Sequence, residues 1–186
     1  MTSAASPMRA RVPLPDPNAM GADQRAVYDS ILASRPSIQG PFLAWLHRPA
    51  LAGPAERLGA YCRFGSALTL AQSERLILMT AVHFDCPAEW AIHRPIAEAA
   101  GVPIADIADI QAGRAPAYGE LHDQALARFA LELLQTNRIA DDTFAAAQAA
   151  LGLDALIDAA AIIGYYSLAA MTLNAFDMRP GGASTD

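Results

Sequence analysis

Lysine is absent from this chain: all 13 of its basic residues are arginine. That absence removes Schiff-base chemistry, a lysine general base and the P-loop lysine together. Cysteine is scarce, and Cys62 and Cys86 lie too far apart in sequence for a C-x-x-C pair and are too few for a disulfide framework. Charged residues make up only 17% of the 186 residues, against 53% hydrophobic, so the chain has the apolar material for a folded core and lacks the composition of a disordered one. A net charge of −6 and a pI near 5.1 leave no basic stripe for phosphates, which excludes nucleic acid as the expected partner. Residues 1–17 are rich in Ser and Pro and have no apolar run of the signal-peptide kind, so the expected location is the cytoplasm.

What is abundant is alanine, more than a fifth of the chain, which together with arginine-only basic residues suggests a high-GC bacterial genome. The longest uncharged stretch, 159–176, carries Gly164, Tyr165, Tyr166, Ser167, Thr172 and Asn174. That polar content predicts a buried helix, with no membrane span.

No segment alternates with period two, whereas helix start and stop signals recur about every fifteen residues, so the expected fold is all-α, a single-domain bundle of antiparallel helix pairs. Helices are predicted over 21–33, 42–47, 50–67, 70–84, 87–100, 103–110, 120–135, 142–151 and from Asp154 onward. Thr69 and Gln72 make a capping box, and Pro87 reads as a first helical residue with Cys86 as its N-cap. Pro95 predicts a kink, and Gly101 a stop. Residues 1–18 are expected to be a flexible arm, 19–178 the helical domain and 179–186 a disordered tail.

The chemistry concentrates between Ser73 and His93. Cys86, Glu89 and His93 stand at i, i+3 and i+7, so a thiol, a carboxyl and an imidazole fall within about 60° of one helix face. The positive end of that helix is expected to favour a thiolate at Cys86 and the anion at Glu89. Glu74, on the preceding antiparallel helix, should be offset axially from His93 by about 6 Å, within reach of a long side chain plus one water. A metal site built from His83, Cys86, Glu89 and His93 matches no standard zinc spacing, and neither metal nor cofactor is expected.

The pattern Glu74, Cys86, Glu89-Trp90, His93 and Ala100-Gly101-Val102 resembles the carboxymuconolactone decarboxylase superfamily, which includes the alkylhydroperoxidase D-like proteins. In its peroxidase branch a glutamate is followed at this spacing by Cys-x-x-Cys-x-x-x-His, with a histidine between the cysteines. Glu74, Cys86 and His93 match, while Glu89 stands at the second cysteine and Ala88 at the intervening histidine. In the decarboxylase branch a glutamate stands where Glu89 does and the histidine matching His93 is kept, without the cysteine. The resemblance covers 50–102 best, with Gly164-Tyr165-Tyr166 and Asn174-Ala175-Phe176 similar to the family's last helix. It implies a homo-oligomer, a trimer or hexamer.

The first expectation is an enzyme acting on a small organic acid or lactone, with His93 as general acid or base, Glu89 or Glu74 orienting it, and a proton delivered to a developing carbanion or enolate. The alternatives are a thiol peroxidase using Cys86, with Cys62 or an external thiol to resolve it, and a non-enzymatic ligand-binding oligomer. His93 and Glu89 are expected to line an apolar pocket with Tyr165 and Tyr166 on its far wall, Trp90 at its rim and His83 as a further substrate contact.

Overall fold

The structure is a computed structural model that describes residues 9–34, 37–114, 116 and 118–179. Among them are nine α-helices and no strand: α1 (Ala22–Ser34), α2 (Phe42–Trp45), α3 (Pro49–Phe64), α4 (Leu70–His83), α5 (Pro87–Ala99), α6 (Ile104–Gln111), α7 (Leu121–Thr136), α8 (Asp141–Leu151) and α9 (Leu153–Ala175). The all-α expectation holds.

Local chemistry sets the element ends. Thr69 Oγ1 accepts from the Gln72 amide at 3.2 Å while Gln72 Oε1 accepts from the Thr69 amide at 3.1 Å, the reciprocal cap that opens α4. Pro87 occupies the first turn of α5, and the helix runs on through Pro95. α3 ends three residues before its expected limit. The buried carboxylate of Asp158 on α9 accepts from the Ala67 amide at 2.7 Å and from the Tyr61 hydroxyl at 2.6 Å, which draws the chain out of the helix. Between α8 and α9 the single residue Gly152, at φ +81°, makes the turn, a backbone conformation that a side chain would strain.

α9 is the axle of the bundle. It packs against α3, α4, α5, α7 and α8 and buries Ala159, Ile162, Tyr166, Ala170 and Leu173 among other residues. Length and hydropathy alone would let it cross a bilayer, but 61% of its most apolar window is buried inside the protein, the behaviour of a core helix. α4 and α5 form an antiparallel pair packed against it. Asp85, at φ +45°, makes the tight turn between them, and the Cys86 amide closes that turn on the Ala81 carbonyl at 2.8 Å.

The segment read as a flexible arm is tied down from Arg9 onward. Arg9 and Arg179 exchange backbone hydrogen bonds as an isolated antiparallel bridge, the Arg11 amide donates to the Phe176 carbonyl, and the His47 ring donates to the Pro13 carbonyl at 2.7 Å. These contacts are with distant parts of the chain, which local composition does not announce. Of the tail expected at 179–186, Arg179 is held by its bridge to Arg9, and residues 180–186, like residues 1–8, lie outside the described residues.

Candidate active site

The turn at Asp85 sends α5 back along α4, and this brings Glu74 and His93 together. Glu74 is fully buried, and its Oε2 lies 2.8 Å from His93 Nδ1, a direct hydrogen bond in place of the expected water bridge. One helical turn before His93 on α5, Glu89 sets its Oε1 3.2 Å from His93 Nε2. One imidazole is therefore held between two carboxylates. Burial alone would push His93 toward the neutral form, but hydrogen bonds to Glu74 and Glu89 and their charges outweigh it and raise its pKa to about 9. At neutral pH the ring is an imidazolium that donates from both nitrogens.

Glu89 and His93 open onto a cavity of about 180 Å³. Tyr165 and Tyr166 form its wall, as expected. The Tyr166 ring stands edge-on to His93 with centroids 5.0 Å apart, and Tyr165 stands edge-on to Tyr166 at 5.2 Å. Burial, with Glu89 and Glu74 adding and Arg63 opposing, holds Tyr166 well above the ordinary phenol range, so it stays a neutral phenol. Tyr165 fits because residue 59 is glycine: a methyl group there would overlap the Tyr165 hydroxyl.

Several cavity residues were not anticipated. Arg63 of α3 lines it, as do Ser37 and Gln39 of the α1–α2 connection, Phe42 of α2, and Ile92 and Ile96 of α5. The isoleucines were discoverable, because Glu89, Ile92, His93 and Ile96 are spaced i, i+3, i+4 and i+7 and must share a face. Arg63 and the connection arrive through long-range packing and carry no local signal.

Three expected site residues stand elsewhere. Cys86 is buried in a small apolar cluster with Ala44, Ala88, Ala170, Leu173 and Met178 and is not among the residues that line the cavity. Burial pushes its thiol up to about 11; the Glu89 and Ala88 amides at the helix start act in the opposite direction and do not offset it. The thiolate expectation is thus corrected, since desolvation exceeds the helix-end effect. Trp90 packs half-buried against the main core and does not line the cavity. His83 borders a different space, with Ile110, Arg114 and Gln135. It lies nine residues after Glu74, about 180° around α4, so it faces away from the site. Cys62 and Cys86 are both free, and the Cys62 thiol is likewise pushed up to about 11 by burial, with the Asp158 charge adding.

No group of three or more His, Cys, Asp or Glu side chains placed to share a metal ion occurs among the described residues, and both nitrogens of His93 are taken by carboxylates.

The sequence matches no protein-family model and no curated protein. Solved structures do match. One is an alkylhydroperoxidase AhpD core protein, an uncharacterized peroxidase-related protein from Ralstonia eutropha JMP134, with a TM-score of 0.77 at 20% identity over 93% of each chain. Another is the debrominase Bmp8 in its apo form, with a TM-score of 0.73 at 15% identity over 91% of each chain. A cysteine-to-alanine variant of Bmp8 in complex with 2,3,4-tribromopyrrole superimposes at 0.73 and 14% identity, over 98% of this chain and 94% of that one. With nine helices in the described residues and near-complete coverage of these neighbours, the chain has the AhpD-like all-α fold.

Proposed function

We propose that the protein is a carboxymuconolactone decarboxylase-like enzyme that acts on a small organic acid or lactone by general acid–base chemistry. The observation that carries this reading is an imidazole ring held between Glu74 and Glu89 at the wall of a cavity lined by aromatic side chains. In decarboxylation the bond to the carboxyl carbon breaks, carbon dioxide leaves and the electron pair stays on the substrate as a carbanion or enolate. His93 then supplies the proton through Nε2 and the adjoining Glu89, while Glu74, which does not line the cavity, fixes the ring at Nδ1. The neutral ring regains its proton from water. Ring opening of a lactone by elimination uses the same pair: Glu89 accepts the proton from the carbon next to a carbonyl, His93 stabilises the enolate that forms, and collapse of the enolate breaks the ring C–O bond and releases the lactone oxygen as a carboxylate.

Bmp8, a debrominase with this fold, has been captured with a small halogenated ring, which supports a small unsaturated substrate for the scaffold. The peroxidase reading is weaker, because its nucleophile would be Cys86, a buried thiol outside the cavity. We also infer a homo-oligomer in the cytoplasm. In support, α9 leaves Leu153, Ile157, Leu168 and Met171 exposed on its outer side. Light scattering should give a multiple of the 19.6 kDa chain, and a monomer at micromolar concentration would contradict it.

The activity test is a panel of small carboxylates and lactones incubated with the protein in deuterium oxide, with carbon dioxide release and deuterium incorporation read by NMR. His93→Gln should lower turnover by about 10²–10⁴. Cys86→Ala should leave it within about twofold of wild type, costing only about 1 kcal/mol of stability for a small buried side chain. Turnover that survives His93→Gln would overturn the proposal, as would alkyl hydroperoxide reduction abolished by Cys86→Ala.

A further inference from the structure

Two residues that line the cavity each carry a buried polar atom with no partner among the described residues. Glu89 is 2% exposed and gives Oε1 to His93, which leaves Oε2 bare. Arg63 lines the same cavity with a bare, buried Nε. Leaving a buried donor or acceptor unsatisfied is costly, and more so for charged groups, so a bare pair of opposite character beside a cavity is suited to completion by a ligand. Their chemistry is opposite. A guanidinium is a permanent cation whose planar fork of donors matches a carboxylate, and a carboxylate oxygen such as Glu89 Oε2 can only accept. The ligand that completes both has an anionic planar group at one end and a hydroxyl or N–H donor at the other.

Charge fixes its orientation. Glu74 and Glu89 share one imidazolium, so an incoming anion is repelled at the α5 end of the cavity and attracted at Arg63. The volume of about 180 Å³ is below the roughly 300–1,000 Å³ of pockets for drug-sized molecules, which limits the ligand to about one ring or its open-chain equivalent. The rings of Phe42, Tyr165, Tyr166 and His93 around it suit a flat, unsaturated skeleton.

We propose that the cavity binds a small planar hydroxycarboxylate, with its carboxylate on Arg63 and its hydroxyl donating to Glu89 Oε2. This names the substrate class of the acid–base site and rests on that reading. Arg63 is then the residue that selects acids over neutral isosteres, and Glu89 serves both recognition and proton transfer.

Calorimetric titration of the full chain at neutral pH with benzoate, benzamide, 3-hydroxybenzoate and 4-hydroxybenzoate tests this. Wild type should bind benzoate about tenfold or more tightly than benzamide, and at least one hydroxybenzoate more tightly still. Arg63→Gln should erase the preference for carboxylate over amide, and Glu89→Leu the preference for the hydroxyl. Arg63→Lys, which keeps the charge without the fork, should restore part of the first preference and guards against a misfolded variant. Wild type that binds none of the four or does not separate benzoate from benzamide would overturn the proposal. So would Arg63→Gln that binds benzoate as tightly as wild type. Equilibrium binding does not report proton transfer. Lost preferences with intact His93-dependent turnover would therefore refute this inference alone, and absent turnover with intact preferences would refute the acid–base reading alone.

Discussion

Glu74 and Arg75 are neighbours on α4, and each anchors a cluster of charges. Glu74 turns toward α5 and holds His93, whereas Arg75 turns toward α6 and α7 and bonds Asp106 at 3.2 Å and Asp123 at 2.6 Å, with Tyr118 against its guanidinium at 4.8 Å. Gln72 adds a hydrogen bond to Asp123 at 3.0 Å. The second cluster balances one permanent cation against two carboxylates, and the space beside Arg75, Tyr118 and Asp123 has no room for a water molecule. The first places a titratable ring between its carboxylates and opens onto a cavity. The Glu74–His93–Glu89 cluster is the more deeply buried of the two, with side chains 0–6% exposed against 12–18% for Arg75, Asp106 and Asp123. A closed cluster of fixed charges pins three helices together, whereas an open cluster with a movable proton is equipped to react.

The contrast breaks if Arg75 matters to the site or His93 does not respond to pH. Arg75→Met should leave Asp106 and Asp123 without their cation and cost about 3 kcal/mol in urea denaturation, a figure reduced for their partial exposure. The same variant should leave benzoate binding and the titration of His93 unchanged.

A somewhat smaller and pH-dependent effect is expected from His93. Its pKa is raised in the folded state, so its contribution to stability is fully present below about pH 6.5 and is lost as pH rises through about 9. Urea denaturation across that range should show a decline on the order of 3 kcal/mol or less. His93→Gln should flatten it, and Arg75→Met should not, since an arginine does not titrate there.

How much of this was legible before the structure depends on range. The Thr69–Gln72 cap, the Pro87 start and the apolar spacing of α7 are local signals, and each marks an element that formed close to where it was expected. The Glu74–His93 pairing was nearly as accessible, since a short turn forces antiparallel helices and leaves only the axial offset to estimate. That offset came out too long by one water. Cys86 was misread because the helix-end argument takes account of α5 alone, whereas Ala44, Leu173 and Met178 from other segments seal the thiol in. Arg63 was invisible for the same reason: α3 meets the site only through tertiary packing. His83 could have been set aside from its half-turn separation from Glu74.

The central claim is that His93 is an imidazolium at neutral pH because two carboxylates hold it, and NMR titration of its ring nitrogens tests that most directly. The account predicts a midpoint near 9 in wild type, both ring nitrogens protonated at pH 7, and a fall in that midpoint in Glu74→Gln with none in Arg75→Met. A neutral His93 ring at pH 7, with a midpoint at or below the ordinary value of about 6.5, would contradict it.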